Sequence, residues 1–323
     1  MADDQPTNAY PTDWKDLRER PVERAREALP AKFRDSAGQD GDARKRTLYS
    51  LNRADFRDAD DAQILAGHCL PWSDLAYRPQ RAARSVPMRI ERRGVALDPL
   101  AIIHPDNRTI YSDTSYPWGC VCRVITAKGG QGSGVLVGPR HVLTASHCID
   151  WTTDRAELVE VHRQGTSLSA MSFDTNVLAF TQIGDTTANT IDEDYAVMIL
   201  EDRLGDRFGW MGVRTYDSGW DEEGFWTTIG YPGDYGGMVP TFQRGVYLDE
   251  DTFDLGGGRA MTTSADLANG QSGGPFFAWW DNAPYVVAVV SSESRSPIFG
   301  TENYGSGGND LTRLVNQARR DFP

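Results

Sequence analysis

Cysteine and histidine are scarce in this chain, long apolar runs are missing, and each shortage excludes something. Four cysteines, Cys69, Cys120, Cys122 and Cys148, occur in 323 residues, without the paired CxxC spacing that clamps a zinc ion. Cys120 and Cys122 alternate, which puts both on one face of a strand and suits neither a tetrahedral metal site nor a redox pair. Three full pairings of the four remain open. No run of about 18 apolar residues exists, so no membrane-spanning helix and no membrane partner are expected. The opening MADDQPTNAYPTDWKDLRER lacks the apolar core of a secretory leader, so either the protein stays where it is made or a leader has been removed. Asp58, Asp60 and Asp61 lack the spacing of a calcium-binding loop and read as a solvated face. No catalytic metal or organic cofactor is indicated.

What is present describes a folded, acidic chain. Hydrophobic residues make up 39% and charged ones 24%, ordinary values for soluble protein, and the length allows two or so domains. The net charge of −13 is uneven: residues 1–94 hold 18 Lys/Arg against 16 Asp/Glu, and residues 95–323 hold 15 against 30. Phosphates would be repelled by that acidic body, so nucleic acid is not expected as a partner. Cationic substrates or a packed basic segment would suit it, and so would plain solubility.

Residues 1–94 differ from the rest. DWKDLRERPVERAREALP spaces Trp14, Leu17, Ala25, Ala28 and Leu29 in a roughly helical pattern, interrupted by Pro21 and stopped by Pro30. A polar stretch, RDSAGQDGDARKR, reads as linker, and RAARSVPMRIERRG is a basic run that a protease could cut after Arg93. From about residue 95 the pattern turns to strands: GVLVG, HVLTA, YAVMIL, FWTTIGY, PFFAWW and YVVAVVSS are short, rich in β-branched and aromatic residues, and bounded by Gly, Pro or Asp. Such strands without interleaved helices predict an all-β barrel or sandwich. One helix is expected in NDLTRLVNQARRDF, capped by Asn309 or Asp310, with Leu311, Leu314, Val315 and Ala318 on one face.

NGQSGGPFF at 269–277 sets one hydroxyl, Ser272, among small residues ahead of an apolar run. Such a turn can push the side chain outward and leave backbone N–H groups free, although glycine and serine are common in ordinary loops. A serine nucleophile needs a base. The histidines are His68, His104, His141, His147 and His162, and His147, in TASHC, would sit in a short helical turn at a strand end. The base needs a carboxylate shielded from water. Asp194 in DEDYAVMIL opens a strongly apolar strand, whereas Asp192 and Glu193 lie outside it. GQSGG fits G-x-S-x-G as letters, yet base and acid both precede the serine, which is not the order of an α/β-hydrolase.

Together TASHC, DEDYAVMIL and NGQSGGPFF, ordered His, Asp, Ser at spacings of 47 and 78 residues, resemble the chymotrypsin-like serine proteases. DNRTIYSDTSYPW, GSGVLVGPRHVLTASHC and TIGYPGD are similar to the branch of V8 protease and the bacterial glutamyl endopeptidases, over roughly residues 101–323. The resemblance implies an all-β fold of two six-stranded antiparallel barrels, about 101–205 and 206–308, with a C-terminal helix at 309–322. It implies Ser272 as nucleophile, His147 as base, Asp194 as its orienting acid, and an oxyanion hole from the N–H groups of Gly270 and Ser272.

Departures from that family qualify the expectation. Gln271 stands where trypsin-type enzymes carry an aspartate that pairs with a newly freed N-terminal amine, so that switch is not expected. The usual partner position of Cys148 is filled by Gly132, so the resemblance leaves Cys148 either free or in a disulfide with Cys122 or Cys120 from the neighbouring strand. Ser146 replaces the usual alanine or glycine before the histidine. In the primary pocket, Asp266 falls where trypsin-like enzymes hold an aspartate, Val290 replaces the histidine of glutamyl endopeptidases, Ser291 would back Asp194, and Glu293 would lie near the entrance. Two acids and no histidine favour Arg or Lys at the cleaved position.

The expectation is therefore a secreted serine endopeptidase made as a zymogen, with residues 1–93 as a prosegment cut near Arg92 and Arg93, and residues 94–323 as the protease domain. Its partners are a protein or peptide substrate and its own prosegment. Asn107 opens an NRT glycosylation sequon. The alternative is a protease fold kept for binding with a latent site, against which the full set of His147, Asp194 and Ser272 speaks.

Overall fold

The computed structural model describes residues 44–56, 62–71, 102, 106–127, 129–165, 167–184, 186, 190–250, 254, 256–296 and 300–323. The helical pattern over 14–29, Asp58 to Asp61, Arg92 and Arg93 lie outside the described residues. The N-terminal stretch gives strands β1 (Thr47–Ser50) and β2 (Ile64–Leu65), and β3 (Thr109–Ile110) follows. Six strands come next: β4 (Val121–Ile125), β5 (Gln131–Gly138), β6 (His141–Thr144), β7 (Leu158–Val161), β8 (Ala170–Ala179) and β9 (Ala196–Leu200). A one-turn helix α1 (Gly205–Phe208) and β10 (Gly212–Arg214) lead to β11 (Trp226–Gly230), β12 (Thr241–Val246), β13 (Leu248–Glu250), β14 (Arg259–Thr263), β15 (Pro275–Trp280), β16 (Ala283–Ser296) and β17 (Gly300–Gly307), and helix α2 (Asn309–Asp321) ends the chain.

Strands β4 to β9 pair antiparallel in the order β9, β6, β5, β4, β7, β8, and a further β8–β9 ladder closes them into a barrel. Their Val, Leu and Ile side chains fill it: Val121, Val124, Val135, Leu143, Val159, Val177 and Val197 are almost wholly buried. Apolar burial on this scale is the main term that offsets the chain entropy lost on folding. The second sheet runs β13, β14, β17, β16, β15, β11, β12, β3. Only Tyr247 separates β12 from β13, so the chain itself links β12, the strand next to one end of that path, to β13 at the other. Its interior is aromatic, with Trp220 and Trp226 ring centroids 5.8 Å apart and Trp226 and Trp280 6.1 Å apart.

Two pairings depart from the antiparallel expectation. Strand β1 runs parallel to β8, with Thr47 opposite Asn176, and β10 runs parallel to β16, with Val213 opposite Val286. Strand β2 in turn adds antiparallel to β10. Part of the stretch expected to be a separate prosegment thus builds both sheets. It is anchored by Arg46, whose side chain is fully buried and lies 3.0 Å from both Glu157 and Asp174. Helix α2 buries the face the spacing predicts, Leu311, Leu314, Val315 and Ala318. Its cap differs: Gly308 occupies that place, and the Asp310 carboxylate instead pairs with Arg53 at 2.5 Å.

Candidate active site

Sheet register brings the base and the acid together. Strand β9 lies against β6 with Ala196 opposite Thr144, so the segment entering β9 and the segment leaving β6 meet at one barrel end. After β6 the chain makes a short 3₁₀ turn, Ser146–Cys148, and a similar turn, Ile191–Glu193, delivers Asp194. Asp194 is fully buried. One carboxylate oxygen, Oδ1, accepts the His147 backbone N–H at 2.9 Å, while Oδ2 lies 2.7 Å from His147 Nδ1 and accepts the Ser291 hydroxyl at 2.6 Å. An acceptor at Nδ1 keeps the ring proton there and leaves Nε2 as the basic nitrogen. Burial alone would pull the imidazole pKa down, but the charge of Asp194, aided by Cys148, overrides it and holds the ring well above its ordinary value.

The serine loop is pinned through its carbonyls. Ser272 O accepts the Ser133 N–H at 2.7 Å and the Cys148 thiol at 3.6 Å, so the residue after His147 touches the backbone of Ser272. The Ser133 hydroxyl donates to Gly270 O at 2.7 Å and accepts the Tyr231 N–H at 2.8 Å. Asn269 O accepts from Gly233 N at 2.6 Å, and Gln271 O accepts from Gly274 N at 2.9 Å. In a trans peptide the N–H points opposite to the C=O, so these bonds turn the N–H groups of Gly270 and Ser272 the other way. Neither of those N–H groups has a hydrogen-bond partner among the described residues. Glycine is required at 270, where φ is +94° and a Cβ would lie 2.6 Å from Tyr231 O, and at 273, where φ is +82° and a Cβ would meet Thr144 Oγ1 at 2.2 Å. Two inward N–H groups beside a hydroxyl can stabilise an oxyanion formed on a carbonyl placed there.

Asp266 is fully buried. Its Oδ2 accepts the Asn107 N–H at 2.8 Å, and its own N–H donates to Gln243 Oε1 at 2.6 Å, so the carboxylate also holds the 106–108 loop. Val290 is fully buried on β16, with its N–H on Gly274 O at 2.8 Å and its carbonyl accepting Gly273 N at 2.7 Å. Glu293 pairs with Asn303 across β16 and β17, and its side chain lies outside the description. Of the two alternatives for Cys148 the disulfide is corrected: Cys120, Cys122 and Cys148 are free thiols, and Cys69 forms no disulfide. The Cys148 sulfur turns toward Ser272 O and occupies the space beside Gly132, where an added Cβ would come within 2.6 Å of it. Cys122 is sealed inside the first barrel, and burial pushes its thiol pKa up.

Three residues of the site lie in stretches that carry the resemblance, yet nothing there marks their roles: Ser133, Gly233 and Arg108, whose guanidinium donates to Gln271 Oε1 at 3.0 Å. DNRTIYSDTSYPW contains Arg108, but nothing local marks a partner 163 positions away. Among the described residues no group of three or more His, Cys, Asp or Glu could hold a metal ion, and no helix is long and apolar enough to cross a membrane.

Residues 132–289 match the family described as trypsin-like peptidase domain. The chain is 29% identical over 229 residues to the glutamyl endopeptidase of Bacillus licheniformis, covering 68% of this chain and 69% of that protein. It is 25% identical over 239 residues to a Bacillus subtilis protein named extracellular metalloprotease, covering 71% and 74%. Among solved structures, a Glu endopeptidase in complex with MPD superposes with a TM-score of 0.55 at 21% identity, over 68% of this chain and 100% of that one. The protease Anisep from Arthrobacter nicotinovorans gives 0.50 at 18%, over 65% and 98%. At these identities the structural likeness establishes the fold, which is chymotrypsin-like.

Proposed function

Since the chain carries a trypsin-like peptidase domain, similar to the V8 branch, and is a serine endopeptidase, we propose that His147, Asp194 and Ser272 are its catalytic triad. The Ser272 hydroxyl attacks the scissile carbonyl and His147 Nε2 takes its proton. Asp194 holds the ring and stabilises its charged form. The N–H groups of Gly270 and Ser272 bind the developing oxyanion, each worth about 3 kcal/mol of barrier. His147 then gives the proton to the leaving amine, and water attacks the acyl-enzyme by the same route in reverse. The observation that carries this reading is the double grip of Asp194 on His147, through ring and backbone at once.

A fluorophosphonate probe tests it. Labelling that disappears in Ser272→Ala supports the triad. A native chain that takes no probe supports the other class, a protease fold that binds without cutting.

For specificity we propose Arg or Lys at the cleaved position, because the resemblance aligns Asp266 with the aspartate of trypsin-like pockets and Val290, not a histidine, with the wall strand. The name of the Bacillus licheniformis relative points instead to glutamate. Profiling on a peptide library separates the two: a basic residue before the cut upholds this reading, and an acidic one replaces it. A basic preference would also let the enzyme cut itself near Arg92 and Arg93 as a secreted precursor matures. With β1 and β2 built into both sheets, that cut leaves a nicked enzyme that keeps residues 44–71.

A further inference from the structure

Arg108 is 1% exposed, and all five of its N–H donors are used. Nε and Nη2 reach Asp106 at 3.1 and 2.9 Å, Nη1 and Nη2 reach Asp234 at 3.1 and 2.5 Å, and Nη1 also reaches Gln271 Oε1 at 3.0 Å. That amide oxygen accepts the Ala268 N–H at 2.9 Å as well, while Gln271 N donates to Ala268 O at 3.0 Å, closing the loop ahead of Ser272 on itself.

Two loops are therefore fastened to one cation. The first, 233–235, is held through Asp234, and it supplies the Gly233 N–H that grips Asn269 O and so aims the Gly270 N–H. The second, 268–272, is held through Gln271 and contains both free N–H groups. The charge balance explains the amide at 271. One guanidinium already faces two carboxylates, and a third in the same buried space would leave a second negative charge uncompensated. A neutral oxygen completes the fork without that cost.

We propose that Arg108 is a positioning residue doing, from within the chain, the task a freed terminal amine performs in trypsin-type enzymes: it keeps the oxyanion loop assembled, so the site is competent without a cut upstream. This rests on the endopeptidase reading above. Trimming near Arg92 and Arg93 then matures the chain but does not switch on the site.

The test uses the full chain, a fluorophosphonate probe and intact-mass detection, with kcat and KM on a peptide amide. The uncut chain is expected to carry the probe adduct. Arg108→Met is expected to melt cooperatively, to react with the probe and turn over about 100-fold more slowly, and to keep KM within about threefold, as loss of oxyanion stabilisation predicts. Arg108→Lys, which keeps the charge without the planar fork, is expected between the two. An adduct found only on chains cut ahead of Asp106, or a folded Arg108→Met with native rates, overturns the proposal. If Arg108→Met does not fold, Arg108→Lys decides: an intermediate rate upholds the proposal and a native rate overturns it. A native chain that takes no probe, cut or uncut, overturns the endopeptidase site itself and is distinguished in that way.

Discussion

Ser291 donates its hydroxyl to Asp194 Oδ2 at 2.6 Å, the same oxygen that faces His147 Nδ1 at 2.7 Å. With Oδ1 on the His147 N–H, the carboxylate is fixed from three sides in a place water does not reach. A carboxylate held this way cannot swing from the imidazole, and four consequences of this and related contacts can be measured.

Asp194→Asn offers the ring an amide in place of a charge. kcat is expected to fall about 10,000-fold with the fold intact. In the native enzyme the raised pKa of His147 means that activity is lost as pH drops through a value above the ordinary 6.5 or so. Without the carboxylate, burial is no longer opposed, and the acid limb of kcat/KM moves to lower pH. Profiles of the two proteins on one peptide amide check both the size and the direction.

Ser133→Ala removes the hydroxyl that serves Gly270 O and the Tyr231 N–H, and leaves two buried backbone groups unpaired. A loss of about 1–3 kcal/mol in urea unfolding is expected. Because Gly270 O belongs to the serine loop, kcat should fall about tenfold as well, which corresponds to 1.4 kcal/mol on the barrier. Unfolding curves and turnover on the same preparation separate the two effects.

Arg46→Met leaves Glu157 and Asp174 buried without their cation, at an expected cost of about 3–5 kcal/mol. In the native protein burial, against the pull of Arg46, pushes Asp174 up to about 7. A folded-state pKa raised from an unfolded value near 3.9 gives stability that is present at low pH and lost as pH rises through about 7. Asp174→Asn should therefore flatten the fall in stability between about pH 4 and 7, read by urea melts at each pH.

Denatured without reductant, the chain should take up alkylating reagent at all four cysteines, and dithiothreitol should leave its melting temperature unchanged. Mass spectrometry that found only two modified cysteines would restore the disulfide.

The strands were legible because their apolar composition and their Gly, Pro or Asp boundaries are local, as with PFFAWW in β15, and so was the buried face of α2. The three short motifs marked His147, Asp194 and Ser272 as candidates because each carries a reactive group in a suggestive local setting. What stayed hidden is held by long-range pairs. The bond from Ser133 to Gly270 spans 137 positions and that from Arg46 to Asp174 spans 128, and no local periodicity encodes either. The cap of α2 was misassigned because Asp310 is taken by Arg53, which arrives from far upstream. That the Cys148 sulfur turns to Ser272 O, 124 positions away, is likewise a matter of tertiary packing.

The pairing of β1 with β8 and of β2 with β10 means that residues 47–50 and 64–65 cover backbone that would otherwise end in open hydrogen-bonding rims. A shortened chain beginning at the first barrel would bare unsatisfied N–H and C=O rows on two sheets at once, templates on which a neighbouring molecule could add its own strand. Such a truncation should come out of a cell as oligomers or precipitate, whatever the state of its serine.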